Sequence, residues 1–251
     1  MSRYPRKQSE TDFYHVYSRG SGRQLIYETA DDRIIFLHYL SVALAKFDTT
    51  LYAYALMGNH YHLVVNASFD NLSLFGHALN SAYARYFNKT YAHTGHLFQE
   101  RFSSQPIEDD SYFLAAIRYV HRNPVEACLS ESCTYPWSSY ANYLGHRARL
   151  TDPAVNTAKA LDMLGSIEAF TDFHAHSGKE EFIDDVPMPT TMGEVEMIAR
   201  ARDLLSGSSP TTVKSLPKKD RDCCLRALKS AFSTRQIALM TGISRSVVQR
   251  A

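Results

Sequence analysis

Two histidines separated by one bulky apolar residue, His60-Tyr61-His62, stand in the run Met57-Gly58-Asn59-His60-Tyr61-His62-Leu63-Val64-Val65. A strand repeats every two residues, so both imidazoles project from one sheet face and Tyr61 from the other. Two imidazoles on a rigid strand can hold one divalent cation. Histidines on a strand are also commonly hydrogen-bonded surface or core residues, and the motif alone does not choose. A second reactive group follows in Tyr119-Val120-His121-Arg122-Asn123-Pro124. Tyr119 and Asn123 are four apart and share a helix face. A phenol placed there can attack phosphorus, and the carboxamide oxygen can serve as a third ligand beside the histidines. The competing assignment is a core tyrosine, with Asn123 capping the helix ahead of Pro124.

The elements that must position these groups are legible from hydrophobic period and punctuation. Phe13 to Ser18 reads as a strand closed by Gly20-Ser21-Gly22. Asp31 to Lys46 reads as an amphipathic helix burying Ile34, Ile35, Leu37, Leu40, Val42 and Leu44. Thr50 to Met57 and His60 to Asn66 read as two strands of a hairpin turned at Gly58-Asn59. Leu72 to Tyr91 is a long helix presenting Leu74, Phe75, Ala78, Leu79, Ala82, Tyr86 and Phe87. Phe98 to Ile107 is a further strand, and Asp109 to Arg118 opens the helix that carries Tyr119 and is closed by Pro124. Strands and helices mix without strict β-α-β alternation, which predicts an α+β fold with packed helices on an antiparallel sheet.

Beyond Gly145 the character changes. Ala148 to Glu168 reads as helical, Ser177 to Gly193 as an acidic, proline-bearing linker, and Ser206 to Pro210 as a second break. Ser233 to Arg250 fits a helix-turn-helix. A capping Ser/Thr opens one helix, Ala238 is small where helices cross, Gly242 turns the chain, and Ser244 caps a second helix. Arg245, Ser246, Gln249 and Arg250 are then the candidates for touching DNA; a structural helical hairpin is the alternative. Three regions follow: 1–145 with the candidate chemistry, 146–213 as a helical and acidic connection, and 214–251 as a DNA-binding module in a smaller, mostly helical C-terminal region.

The 251 residues, 45% hydrophobic and 21% charged, have the composition of an ordinary globular protein. No apolar run is long enough for a membrane span, and the N-terminus lacks a signal-peptide core, so a cytoplasmic protein with no membrane partner is expected. Cys128, Cys133, Cys223 and Cys224 form no Cys-x-x-Cys pair, which disfavours a zinc finger and leaves reduced thiols as the default. The net charge of +1 hides a division: residues 151–213 carry four Lys/Arg against eleven Asp/Glu, and residues 214–251 carry nine against two. A basic segment behind an acidic one fits phosphate binding or internal pairing.

The strand with His60 and His62, the helix with Tyr119, Asn123 and Pro124, and the stretch Gly95-His96-Leu97-Phe98-Gln99-Glu100-Arg101-Phe102 together resemble the single-tyrosine HUH transposases. Tyr14-His15-Val16-Tyr17-Ser18-Arg19-Gly20 and Tyr135-Pro136-Trp137-Ser138-Ser139-Tyr140 resemble the REP-associated tyrosine transposase branch, over roughly residues 10–145. Gly58 replaces a proline found in many relatives, and Asn123 stands where insertion-sequence cousins carry glutamine. The resemblance implies a ferredoxin-like antiparallel sheet and cleavage of single-stranded or hairpin DNA at repeated extragenic palindromes. It implies Tyr119 as nucleophile, forming a 5′-phosphotyrosine, and Mg²⁺ or Mn²⁺ held by His60, His62 and Asn123. Arg19 and Arg101 are candidate phosphate contacts. Phe98, Phe102 and Trp137 could stack on bases, although apolar surroundings favour the core, and His15 and His121 could tune the site. A monomer or a homodimer is compatible. Two further readings stay open: a non-catalytic sequence-specific DNA-binding protein, and a metal-dependent phosphodiesterase using water as nucleophile.

Overall fold

The structure, a computed structural model, describes residues 6–146, 152–176, 182 and 194–251. Its centre is a four-stranded antiparallel sheet of β1 (Phe13–Arg19), β2 (Thr50–Leu56), β3 (His60–Asn66) and β4 (Ser103–Ile107), in the order β2-β3-β1-β4. Helix α1 (Ala30–Lys46) links β1 to β2, and α2 (Phe69–Thr90) links β3 to β4. This connectivity is the ferredoxin-like arrangement. The predicted hairpin is present, with an irregularity between Leu51 and Ala53 that lets one strand shift register against the other.

Alternation along the strands separates two cores. Tyr14, Val16, Tyr61, Leu63 and Val65 face α1 and α2 and pack with Phe36, Leu40, Phe75, Leu79 and Tyr83. Ala53, Ala55 and Val64 face the other way, against Phe113, Ala116, Ile117 and Val120 of α3 (Asp110–Glu126). That second core continues through the short α4 (Tyr140–Tyr143), α5 (Ala158–Leu164) and α6 (Ile167–Ala175). Helix α7 (Glu194–Leu204) shares a third core with α8 (Lys218–Lys229), α9 (Thr234–Thr241) and α10 (Arg245–Arg250).

Several expectations need correcting. Val42 and Leu74 are 51% and 54% exposed, because the buried stripes run through Phe36, Leu37, Leu40, Ala43 and Leu44 on α1 and through Leu72, Phe75, Leu79, Tyr83 and Phe87 on α2. Positions two residues off such a stripe point away from the core. The strand expected from Phe98 begins only at Ser103, and Phe98 makes a single bridge to Gly20. The helical stretch expected up to Glu168 is instead α5 and α6, broken at Gly165 (φ 88°); its first residues, and the expected linker apart from Phe182, lie outside the described residues. Pro124 does not close its helix. It lies inside α3, whose last turn is continued by Ala127 and Leu129 N–H groups donating to the Asn123 and Pro124 carbonyls. Ser244 occupies the N-cap position of α10 without a side-chain capping bond, its hydroxyl meeting that of Ser246 instead.

The third core is anchored to the sheet domain through the segment after β1. The Leu25 N–H donates to the Leu239 carbonyl, and Glu28, whose side chain is 1% exposed, receives Arg202, Ser209 and Thr211 at 2.8, 2.5 and 2.7 Å. Gly242 ends α9 with φ 66°, a conformation that favours glycine, and a Cβ there would lie 2.2 Å from Oε1 of Gln24, whose side chain would have to shift.

Candidate active site

The central pair of strands brings the chemistry together. In the β1–β3 register Tyr17 lies opposite His62, and Arg19 opposite His60. The side chains of His15, Tyr17, His60 and His62 therefore share the α3 face of the sheet, where an antiparallel pair places direct and diagonal neighbours within reach. Helix α3 starts at Asp109, which caps it by accepting the Tyr112 N–H at 2.7 Å. It packs its apolar side on the sheet and carries Tyr119 over the histidines. The Tyr119 ring meets His62 and His15 edge-on, at centroid distances of 5.5 and 5.6 Å. His60 and His62 are perpendicular at 5.0 Å, and Tyr17 lies 5.0 Å from His62 and 5.7 Å from His60.

The hydrogen bonds hold each side chain by one end. Nδ1 of His60 meets Oδ1 of Asn59 at 2.6 Å, Nδ1 of His62 meets Nε2 of His15 at 2.9 Å, and Nδ2 of Asn123 donates to the Tyr119 hydroxyl at 3.2 Å. Nε2 of His60, Nε2 of His62 and Oδ1 of Asn123 are buried, and the Asn123 side chain also hydrogen-bonds the His60 ring. Those three atoms are the ones the sequence nominates as ligands. Two imidazole nitrogens and a carboxamide oxygen, on side chains held at their other ends, are a donor set that fits a divalent cation. Among the described residues no group of three or more His, Cys, Asp or Glu side chains is arranged for a metal, so this set depends on the Asn123 carboxamide.

Burial sets the charge. It lowers His60 to about 4 and His15 to about 3, and holds His62 well below the ordinary imidazole range. Asn123 partly offsets the shift at His60, and the Arg19 cation adds to it. All three imidazoles are therefore neutral near pH 7, the state in which a ring nitrogen has a lone pair to give.

Of the remaining candidates, Arg19 reaches the site's edge, where Nε and Nη2 donate to Oε1 of Gln99 at 3.2 and 2.9 Å. Arg101 is exposed, as are Arg245, Ser246, Gln249 and Arg250 on α10. Phe98 and Phe102 are core, at 8% and 4% exposure, and Trp137 is half-buried near the Arg33 guanidinium. His15 joins the site. His121 does not: it faces α6, bonded to His174 at 3.1 Å and to Ser139 at 2.8 Å.

Two residues were missed. Tyr17 is in phase with His15 and Arg19 on the first strand, a signal visible in the sequence once the strand's polar face is recognised. Phe182 gave no signal, falling in the segment read as a linker. Its ring stacks on Tyr119 at 4.4 Å and on Tyr112 at 5.1 Å.

Residues 12–123 match the family model of IS200-like transposases. No curated protein matches the sequence. Among solved structures, a REP-associated tyrosine transposase bound to a REP hairpin is similar at 16% identity with a TM-score of 0.50, covering 62% of this chain and 93% of that one. A Deinococcus radiodurans R1 protein described as a candidate transposase matches at 19% identity, covering 44% and 89% of the two chains, with a TM-score of 0.33.

Proposed function

We propose that the protein, whose residues 12–123 match the family model of IS200-like transposases, cleaves and rejoins single-stranded DNA through a covalent bond to Tyr119, with hairpin DNA of the repeated-palindrome class as substrate. The observation that carries this reading is the meeting of Tyr119 with the His60–His62 face, Asn123 touching the tyrosine hydroxyl. The similar solved structure holds a REP hairpin, which supports that substrate class.

In this reading the Tyr119 oxygen attacks the scissile phosphorus, the phenol proton departs, and the bond to the leaving 3′ oxygen breaks as that oxygen takes up a proton. The products are a 5′-phosphotyrosine and a 3′-hydroxyl, and attack by a 3′-hydroxyl on the tyrosine ester reverses the step without external energy. A phenol titrates near pH 10 and needs help to become nucleophilic. The Asn123 Nδ2 donor at the hydroxyl favours the ionised form. Mg²⁺ or Mn²⁺ held by His60, His62 and Asn123 would neutralise phosphate charge and polarise the phosphorus. Helix α3 carries the tyrosine edge-on to His62, and positioning of this kind makes attack effectively intramolecular.

Arg19, Arg101 and the exposed Arg245, Ser246, Gln249 and Arg250 of α10 are assigned to DNA. The helix-turn-helix reading of residues 214–251 draws support from the α9 capping box of Ser233 and Gln236 and from the left-handed Gly242. Residues 1–145 hold the catalytic domain and 146–213 connect the two. Tyr119, His60, His62 and Asn123 belong to one chain, so this reading asks for no second copy in the cleavage step.

The test is incubation with labelled single-stranded hairpin oligonucleotides and Mg²⁺ or Mn²⁺, followed by denaturing electrophoresis. The expected result is a covalent protein–DNA band that disappears with EDTA and with Tyr119→Phe. Cleavage without an adduct that persists in Tyr119→Phe would replace the tyrosine by a water nucleophile. Binding without cleavage across palindromic sequences would favour a non-catalytic DNA-binding protein.

A further inference from the structure

The two histidines of the His-x-His strand are held from behind by different kinds of partner. Nδ1 of His60 faces Oδ1 of Asn59, and the same carboxamide donates through Nδ2 to the Arg23 carbonyl at 3.3 Å. A carboxamide oxygen only accepts, so Nδ1 of His60 carries the proton and Nε2 presents a lone pair. Nδ1 of His62 faces a second imidazole, Nε2 of His15 at 2.9 Å. The proton between those rings can reside on either side, with opposite consequences. On His62 Nδ1, it leaves Nε2 of His62 with a lone pair. On His15 Nε2, it obliges neutral His62 to carry its own proton at Nε2, and an N–H cannot bind a metal.

We propose that His15 is the positioning residue of His62: its Nε2 accepts the His62 Nδ1–H and so fixes the tautomer whose Nε2 lone pair faces a divalent cation. The inference rests on the metal site assigned above. His15 is 1% exposed and His62 is fully buried, so water cannot take over this role. Their rings stack at 5.1 Å with an interplanar angle of 16°. The position is fixed by register: His15 pairs with Val64 and Tyr17 with His62, which sets His15 diagonally behind His62 on the same face. Tyr119 lies edge-on to both rings, so movement of His15 would also disturb the seat of the tyrosine. Partners of this kind fix the orientation and tautomer of a ligating histidine, and their removal weakens metal binding about 10–100-fold.

The experiment is a titration of the full chain with Mn²⁺ alone, following the paramagnetic resonance signal of the unbound ion. Wild type, His60→Ala, His15→Leu and His15→Gln are compared, each with a thermal melt to establish folding. The expected result is binding by wild type that is lost in His60→Ala, weakened about 10–100-fold in His15→Leu, and largely restored in His15→Gln, whose carbonyl oxygen can accept the same proton. If folded His15→Leu binds Mn²⁺ as tightly as wild type, or if His15→Gln is as weak as His15→Leu, His15 is only a packing residue and the proposal is overturned with the metal site intact. If wild type itself binds no Mn²⁺, or binds equally after His60→Ala, the metal site falls and takes the proposal with it.

Discussion

Tyr61 and His62 are chain neighbours on β3, yet they end in opposite environments. Tyr61 enters the apolar core under α1 and α2, its ring 4.9 Å from Phe36, and its hydroxyl donates to Asn80 at 2.7 Å. His62 enters the layer beneath α3, where His15, Tyr17, His60 and Tyr119 surround it. Both faces are dry, but one is filled largely with hydrocarbon and aromatic rings and the other concentrates imidazole, phenol and carboxamide. Burying such polar groups costs free energy unless they are paired. The α3 face holds its polar side chains at one end and keeps two imidazole nitrogens and a carboxamide oxygen buried. The α1–α2 face is apolar core throughout, whereas the α3 face sets the reactive side chains beside an apolar core of its own.

That division can be broken most sharply at Tyr119. Tyr119→Phe keeps the ring and removes the oxygen, so covalent adduct should vanish entirely while the melting temperature stays near wild type, as read by denaturing gel and thermal melt. The converse substitution is Leu63→Ala on the apolar face. Loss of a fully buried leucine should destabilise the fold by about 2–5 kcal/mol, measured by denaturant titration, with adduct formation preserved wherever the variant remains folded. A variant that lost adduct formation while fully folded would show that the faces are not separable. Asn123→Ala should weaken Mn²⁺ binding about tenfold, near 1.4 kcal/mol, and reduce adduct in parallel.

A smaller effect should come from acid. Burial lowers His174 to about 4, opposed by the Phe170 carbonyl and reinforced by Arg118 and Arg122. Between pH about 6.5, where the unfolded chain protonates, and about 4, the unfolded state binds a proton that the folded state refuses. Stability from this group is therefore complete above that window and declines as pH falls through it, by up to about 1.4 kcal/mol per pH unit. His174→Gln should flatten the decline in a pH series of thermal melts. The smallest effects belong to neither face. Arg245→Ala and Arg250→Ala on the exposed side of α10 should leave melting unchanged and each lower the salt slope of DNA binding by about one.

How much of this was legible depends on range. The two histidines on one face, Tyr119 and Asn123 on one helix side, and the capped turn at Gly242 were all readable. Each rests on local sterics, through the period of a strand, the period of a helix and the left-handed conformation that glycine tolerates. Val42 and Leu74 misled because an apolar residue does not announce which side of its helix will be covered. Pro124 misled because only its missing N–H and ring size are local facts; whether a last turn survives depends on the carbonyls that later residues reach. The sequence offered His15 and His121 alike for tuning the site; the choice of His15 needs β1 inserted between β3 and β4 in one particular register.

The sequence by itself determined the reactive types, their phase along each element and the match of residues 12–123 to the model of IS200-like transposases. Only the tertiary structure decided that α3 crosses the histidine face, that His121 turns away to His174 while His15 turns in to His62, and that Phe182 comes to rest on Tyr119. The physical reason is that backbone periods are set within a few residues, whereas strand order, register and helix docking are chosen by hydrogen bonding and burial between segments far apart in the chain.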